Sequence, residues 1–286
     1  MKRIIFCFCC LGLITILAIK ASGQVLEPSP RDGVYDKTAI TQVQPIPYSP
    51  LREADVIWTK RIWRIVDLRE KLNQPFYYPE RPQNNWRSFV QIVMDALKEG
   101  SVSAYSALTD DQFLTPISYK ELMERLQPPD TITLPDPENP DSMITKIVPR
   151  EFRSTQVKKL RIKEDWFFDK QRSVMEVRIL GICPVRDKIN ERTGENLGED
   201  RLFWLYFPEC RPLFAKNEIF NLKNGEAGRL SYDDIFMKRL FNSYIIKEEN
   251  VFDRQINEYL EGVDALYEAQ RAKNTLFEFE HSLWEY

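Results

Sequence analysis

Hydrophobic positions in the first half of the chain recur mostly at helical spacing. Between residues 51 and 72, apolar side chains return every three or four positions among arginines and glutamates, so the pattern predicts an amphipathic helix that Pro75 ends. The same spacing predicts a second helix from Trp86 to Glu99. Ser118 followed by Glu121 has the form of a capping box and predicts a short third helix.

The pattern changes in the middle of the chain, where we expect β-structure. Five prolines between residues 128 and 142 predict a loop before it. Val157–Phe168 and Ser173–Val185 then form two strand-like runs around a polar turn. The second run is mostly apolar, which favours a position at the centre of a sheet because such a strand is buried on both faces.

A third strand is predicted from the aromatic run Arg201–Phe207, which Pro208 ends. A polar loop from Asp187 to Asp200 leads into this strand. Three neighbouring antiparallel strands of this kind form a β-meander. The sequence therefore predicts that the meander is the centre of the fold, with helices before and after it.

The C-terminal part of the chain returns to helical spacing. Ser231 with Asp234 marks a helix start, and apolar positions continue at intervals of three and four up to Tyr244. A long acidic helix is predicted from Ile256 towards residue 274, and its apolar stripe needs either the rest of the domain or another subunit to pack on. The fold class expected from all these elements is α+β: an antiparallel β-meander of about three strands flanked by helices, with a long C-terminal helix.

Residues 24–50 have a different character, because prolines punctuate the segment and exclude a helix. The segment also carries apolar side chains, so we expect an extended Pro-rich arm that lies across its own surface or that of a partner. Four adjacent residues of the arm are the candidate partner contacts, namely Pro45, Ile46, Pro47 and Tyr48.

The first 23 residues match the three-part plan of a secretory signal peptide. Two basic residues precede an apolar run at residues 4–19, and small residues follow, so we predict cleavage between Gly23 and Gln24. The run is slightly short for a membrane-spanning helix, which needs about 20 residues. An uncleaved anchor is the alternative. A lipid-modified N-terminus is disfavoured because the three cysteines of this region lie within the apolar run.

Four segments follow from these patterns: the signal peptide at 1–23, the arm at 24–50, an α+β core domain at 51–246 and an acidic helical segment at 247–286. The last segment carries 10 acidic and 4 basic residues, whereas residues 24–246 are balanced in charge. Such acidity can steer a basic partner, although a solvated helix face is the plainer interpretation. The composition has no basic footprint of a nucleic-acid binder.

The residue inventory excludes several kinds of catalysis. His281 is the only histidine, so a Ser-His-Asp triad, a Cys-His pair or a multi-histidine zinc site has at most this one to use. No glycine-rich phosphate loop is present. Carboxylate chemistry stays open, since a glycosidase needs only two acids in a cleft. The acidic candidates are Asp55, Asp67, Glu164, Asp165, Asp233 and Asp234.

A basic cluster lies beside the aromatic run 166–168, and its members are Lys158, Lys159, Arg161 and Lys163. Cations with neighbouring aromatic rings could bind an anionic polymer. A half-exposed strand whose charges face solvent explains the cluster equally well, and we favour that interpretation.

Two cysteines, Cys183 and Cys210, remain once the signal peptide is removed. In an oxidising compartment they could form a disulfide. However, a hairpin closing near Arg192 would place Cys183 opposite about Leu202 rather than Cys210. Two buried free thiols are therefore an equally good interpretation.

Four blocks of this sequence resemble the GldN family, also called PorN, a component of the type IX secretion and gliding machinery of Bacteroidota. The blocks are residues 31–37, residues 45–48 with 51–56 and 63–71, residues 203–208 with 211–212, and residues 241–246. Blocks of this length are more specific than a short motif.

The resemblance implies a non-enzymatic periplasmic protein at the inner face of the outer membrane. It also implies a ring-like complex in which the protein associates with itself and with an outer-membrane lipoprotein, GldK or PorK. A further implied contact is the periplasmic part of the inner-membrane motor protein, GldM or PorM. No cofactor or metal is implied. The alternative that the residues leave open is a periplasmic carboxylate-dependent hydrolase or a glycan-binding module.

Overall fold

A large antiparallel sheet lies at the centre of the fold. The computed structural model describes residues 42–83, 86–108, 111–127, 130–135, 143–148, 152–189, 195–220 and 229–283. The strands of the sheet are β1 (Val56–Asp67), β2 (Ala104–Tyr105), β3 (Pro116–Ile117), β6 (Val157–Asp169), β7 (Val174–Ile189), β8 (Asn196–Arg201), β9 (Trp204–Tyr206) and β12 (Tyr244–Glu248). They lie in the order β12-β1-β6-β7-β9-β2-β3, and β8 pairs with β7 beside this row.

Two strand pairs stand apart from the large sheet, and six α-helices complete the described fold. The pairs are β4 (Asp130–Pro135) with β5 (Met143–Val148), and β10 (Glu218–Ile219) with β11 (Leu230–Ser231). The helices are α1 (Gln74–Tyr77), α2 (Phe89–Glu99), α3 (Tyr119–Leu126), α4 (Phe207–Lys216), α5 (Tyr232–Met237) and α6 (Gly262–Ser282). The predicted α+β class with a long C-terminal helix is confirmed.

The predicted meander is present as β6, β7 and β9, which lie next to one another and pair antiparallel. Ile162 faces Ile182 across the first pair, and Ile182 faces Leu205 across the second. β7 lies in the middle of the large sheet, as its apolar sequence predicted. The meander is extended on both sides, because β1 and β12 join at β6 while β2 and β3 join at β9.

The helix predicted at residues 51–72 is wrong, since most of this segment is the strand β1. The strand pairs with β6 along nearly its whole length, from Val56 to Asp67. Its second half is buried on both faces, so apolar residues fall at almost every position and match a helical period by coincidence. The many β-branched and aromatic side chains of this segment favour a strand.

Two segments expected to be loops contain strands instead. Asp130–Pro135 is β4, within the proline-rich segment whose residues 128–129 and 136–142 lie outside the described residues. The polar segment 187–200 continues β7 to Ile189 and includes most of β8, and these two strands form a hairpin. The aromatic strand shortens to β9, because Pro208 lies in the first turn of α4, where a missing N–H costs nothing.

Local capping signals gave the most accurate helix predictions. The Ser118 side chain accepts a hydrogen bond from the Glu121 amide at the start of α3, and Ser231 with Asp234 forms a complete capping box on α5. α2 ends at Gly100, whose φ of 72° suits the left-handed turn. α5 ends at Met237, so Tyr244 lies in β12 rather than in the predicted helix.

The core is built mainly from aromatic rings between the sheet and helices α1, α2, α4 and α5. Phe236 lies at its centre, with its ring centroid 5.3 Å to 6.0 Å from those of five other phenylalanines. A second buried cluster includes Trp63, Cys183 and Trp204. A third cluster lies beneath α6 and includes three of its alanines. No helix in the described parts of the chain is long and apolar enough to cross a membrane.

Candidate interaction surfaces

Basic residues of β6 lie inside the protein, so the expectation that their charges face solvent is wrong. Arg161 and Lys163 are both buried, and Lys159 is half-buried with its ammonium 2.6 Å from Glu199. Lys158 is also half-buried and donates a hydrogen bond to Tyr77. A strand of a central sheet buries both faces, and neighbouring elements provide a carboxylate for Lys159 and Lys163 and an uncharged hydrogen-bond partner for Lys158 and Arg161. The cluster therefore does not form an exposed cationic surface for a polymer.

One of these cations holds a loop against the sheet. The Lys163 ammonium lies 3.1 Å from the Asp111 carboxylate, which also accepts a hydrogen bond from the Trp63 indole. Burial raises the pKa of Asp111, but the charge of Lys163 and the hydrogen bonds from Lys163 and Trp63 together outweigh this effect, so the pKa falls below its ordinary value. In the same loop, Phe113 lies so close to Gly181 that an added Cβ would be 2.5 Å from its ring. The glycine is therefore required for the loop to close.

Glu164 is the most deeply buried of the acidic candidates. Its carboxylate accepts hydrogen bonds from Arg64, from Arg239 at 2.9 Å and from the Trp166 indole at 2.8 Å. Burial raises the pKa of Glu164, but the two guanidinium groups outweigh it and hold the pKa below its ordinary value. A carboxylate kept ionised in this way stabilises the fold and is unsuited to act as a general acid.

Four of the other five acidic candidates are also engaged with cations. Asp165 pairs with Arg61 at 2.7 Å, Asp233 with Arg211 at 3.0 Å, and Asp234 with Lys238 at 2.9 Å. Asp67 pairs with Arg69, whose hydrogen bond lowers the pKa of that carboxyl group. Asp55 is half-buried in a short 3₁₀-helix, Glu53–Asp55. Of these carboxylates, Asp233 and Asp234 both line one cavity, which residues 43–49 also line, and each of the two is paired there with a cation.

The two cysteines are free thiols and lie in different buried clusters. Cys183 is on β7 in the cluster with Trp204, and Cys210 is on α4 in the aromatic core. Burial raises the pKa of Cys183 to about 12 and also raises that of Cys210, so neither is a reactive thiolate at neutral pH. The disulfide considered from the sequence is absent from the structure.

The described end of the arm divides into an anchored part and an exposed part. Tyr48 places its ring 4.4 Å from the Arg211 guanidinium and 5.0 Å from that of Arg178. The Ser49 carbonyl accepts a hydrogen bond from Arg178 at 2.7 Å. Ile46, in contrast, is 81% exposed. Among the four candidate contacts, Tyr48 thus packs on the protein's own core, while Ile46 faces solvent between two prolines.

A cavity of about 650 Å³ lies where the arm crosses the core. Arm residues 43–49 form one wall, and Arg178, Arg211 and Met237 contribute to the other. The arm therefore follows its own domain for at least seven residues before Pro50. The predicted cleavage site, Gly23 and Gln24, and the arm up to residue 41 lie outside the described residues.

Most of the apolar stripe predicted for the long helix lies on the outer face of α6. Ile256, where that helix was predicted to begin, is instead buried in a short 3₁₀-helix, Ile256–Glu258, that precedes α6. Val263, Leu266 and Tyr267 are exposed, whereas the helix packs through Ala265, Ala269, Ala272 and Leu276. The small alanine side chains allow the helix to approach β12 closely. Because alanine is only weakly hydrophobic, the sequence pattern pointed to the face with the larger apolar residues instead. His281 is exposed on the same helix, with its ring parallel to that of Phe277.

Sequence reasoning also missed the turn that connects β12 to α6. Val251 is 98% exposed and Phe252 is 71% exposed at its tip. The only signal was an apolar pair in an otherwise polar and acidic stretch. Within the described residues, no group of three or more histidine, cysteine or acidic side chains is arranged to hold a metal ion.

The comparisons with known proteins agree with the resemblance found in the sequence. The model of one protein family, "Gliding motility associated protein GldN", matches residues 51–285. No curated protein matches the chain. The matched region begins at Leu51, so the two sequence blocks of the arm lie outside it, and it covers both the sheet and α6. The chain therefore belongs to the GldN family, whose members are associated with gliding motility and type IX secretion.

Proposed function

We propose that this protein is a non-enzymatic structural subunit of the type IX secretion and gliding machinery. In this proposal it works in the periplasm at the inner face of the outer membrane, after cleavage of its signal peptide. It forms a ring-like complex with itself and with an outer-membrane lipoprotein of the GldK or PorK type. It also contacts the periplasmic part of a motor protein of the GldM or PorM type.

The observation that carries the proposal is the family match across residues 51–285. The chemistry of the described residues supports it in two ways. Five of the six acidic candidates, all except Asp55, are engaged with arginine or lysine, and the pKa values of Asp67, Glu164 and Asp234 lie below their ordinary values. In addition, large apolar side chains are exposed on the arm, on the β12–α6 turn and on α6. Such side chains are typical of protein–protein contacts.

The arm is the part for which we propose a role in assembly. Tyr48 and Ser49 fix its end to the core, so Ile46 and its two prolines are presented in a set conformation. A segment that is already extended loses less conformational entropy when it binds. We expect the arm to cross onto the lipoprotein or onto a neighbouring subunit.

The test is co-expression of residues 24–286 with the lipoprotein, purification on one tag and sizing by light scattering. A high-order co-complex is the expected result. A monomer that ignores the lipoprotein would overturn the proposal, and activity of the purified chain on peptidoglycan would favour a hydrolase.

A deletion of residues 24–44 tests the role of the arm separately. The deletion keeps Tyr48 and Ser49, so the anchored part stays in place and cooperative unfolding should be unchanged. The complex with the lipoprotein should be smaller or weaker. Assembly equal to that of the full mature chain would exclude this role for the arm.

A further inference from the structure

We propose that the β12–α6 turn and the outer face of α6 form a docking surface for a basic region of another protein. We call it the acidic–apolar surface, and it comprises Val251, Phe252, Tyr259, Val263, Leu266 and Tyr267. The inference rests on the proposed function, because it assigns one heterologous contact of the assembly to a defined place on this chain.

The surface is unusually apolar for one that faces solvent. Six large apolar or aromatic side chains are exposed within seventeen residues, and Val251, Phe252 and Tyr267 are 98%, 71% and 71% exposed. Single exposed apolar residues are ordinary, but a concentration of them marks an interaction site. Phe252 and Tyr259 line one cavity together with Glu268 and Ala272 of α6, so the turn lies beside the helix.

The tip of the turn is held in place by its own hydrogen bonds. The Asn250 side-chain amide donates to the carbonyls of Glu248 and Arg254 at 2.8 Å and 2.9 Å, and its oxygen accepts from the Arg254 amide at 3.0 Å. Asp253 accepts a hydrogen bond from Lys247 at 2.5 Å. These hydrogen bonds fix the conformation of the turn, so Val251 and Phe252 stay exposed although the turn does not pack on the core. A surface fixed in advance binds at a lower entropic cost.

The charge around the surface selects the partner. Seven carboxylates lie between Glu248 and Glu268, and Arg254 is the one cation in that stretch. Glu258, Glu261 and Asp264 have no ion-pair partner within the described part of the chain. A second copy of this chain docking face to face would bring acid against acid, and an anionic membrane would be repelled. A different protein that carries basic residues around its contact site would complement these acidic side chains in charge.

A small cavity offers a place for one basic side chain of that partner. It measures about 240 Å³, and its lining includes Phe252, Arg254, Tyr259, Glu248, Glu249 and Glu268. Glu248 Oε2 is paired with Lys60 at 2.8 Å and Glu268 with Arg271 at 2.5 Å, which leaves Glu249 and the second oxygen of Glu248 outside these ion pairs. Arg254 already places its guanidinium 4.4 Å from the centre of the Phe252 ring, which shows that the ring accepts a cation on its face. Glu248 Oε1 is buried there and accepts no hydrogen bond from the described residues. A lysine or arginine side chain can supply that donor.

The experiment is site-specific photo-crosslinking with the full chain in the cell that makes it. A photoreactive phenylalanine replaces Val251 or Tyr267, and the same residue at the exposed Leu114 is the matched control. We expect adducts at the first two positions with a different protein, through a peptide of net positive charge. The triple charge reversal E258K/E261K/D264K should reduce adduct yield about tenfold, since rim charges control encounter rates. Unfolding of the variant in urea checks that its fold is intact.

Each outcome decides the question. Adducts between two copies of this chain, adducts with lipid, no adduct above the Leu114 control, or a yield unaffected by charge reversal would overturn the proposal. Assembly with the lipoprotein is measured on the same samples by light scattering. If that assembly forms while the acidic–apolar surface gives no adduct, this inference fails and the proposed function stands. If the surface crosslinks but no assembly forms, the proposed function fails.

Discussion

The two longest helices in the described part of the chain are held in very different ways. α2 has eleven residues and buries six of them, including Phe89 and Ile92, in the aromatic core. α6 has twenty-one residues and buries four, of which three are alanines. Apolar burial is worth about 25 cal/mol per Å², so α2 is held firmly by its own domain and α6 only lightly. The difference indicates that α2 serves the fold, while much of the apolar surface of α6 is available to a partner.

The strongest way to test this contrast is to truncate one phenylalanine in each region. Phe89→Ala removes a buried ring of α2 that contacts four other aromatic rings, and we expect it to lower the free energy of unfolding by about 3–5 kcal/mol. Phe277→Ala removes an exposed ring of α6 and should change it by less than about 0.5 kcal/mol. Urea unfolding followed by tryptophan fluorescence measures both. Equal losses in the two variants would remove the distinction between the helices.

The buried carboxylate of β6, Glu164, gives the next largest effect. Glu164→Gln leaves Arg64 and Arg239 without their counter-charge, and removing one partner of a buried pair costs about 3–5 kcal/mol. We expect a loss near the lower end, because glutamine still accepts hydrogen bonds. Urea unfolding at neutral pH measures it, and Asp95→Asn, at an exposed pair with Arg87, is the control.

The same substitution predicts a change in pH dependence. The folded-state pKa of Glu164 lies below its ordinary value of 4.5, so its contribution to stability is present above about pH 4.5 and is lost as the pH falls through the folded-state pKa. Wild-type stability should therefore decline in this acid range, and the Glu164→Gln variant should decline less steeply. Identical slopes below pH 4.5 would show that other carboxylates dominate.

Many features of the core could be predicted from the sequence, whereas the packing of α6 could not. The capping residues Ser118 and Ser231 act on backbone only three residues away, so their effect is visible in sequence. The meander could also be predicted, because its strands are marked by their apolar residues and by the polar turns between them. The pairing of Glu164 with Arg239 joins residues 75 positions apart, and no local pattern reveals it.

The errors have specific physical causes. β1 is buried on both faces, so its apolar residues do not alternate and imitate a helix. In the first half of α6 the larger apolar residues lie outside and alanines inside, which reverses the assumption that the most hydrophobic face is the packed one. That reversal is informative in its own right, since it appears where the protein leaves apolar surface for another molecule.

An intermediate effect is expected at the anchored end of the arm. Tyr48→Ala removes a ring that lies against Arg211 and Arg178, and cation–π contacts of partly buried groups contribute about 0.5–2 kcal/mol. The loss of stability should fall in that range, while Ile46→Ala, at an exposed position of the same segment, should change stability little. Urea unfolding measures both variants. A larger loss of unfolding free energy for Ile46→Ala than for Tyr48→Ala would mean that Ile46, and not Tyr48, anchors the arm, contrary to the structure.

The smallest effect on stability is expected where exposure is greatest. Val263→Ser with Tyr267→Ser alters two exposed side chains of α6, so the free energy of unfolding should stay within about 0.5 kcal/mol of wild type.

Hydrogen exchange sharpens the comparison, because a helix that buries only three alanines and Leu276 can open without global unfolding. The amides of α6 should exchange faster than those of α2 in the isolated chain, and they should slow when the partner binds. Equal protection of α2 and α6 in the isolated chain would mean that α6 is an integral part of the core, and its exposed apolar face would then have to be explained without loose attachment.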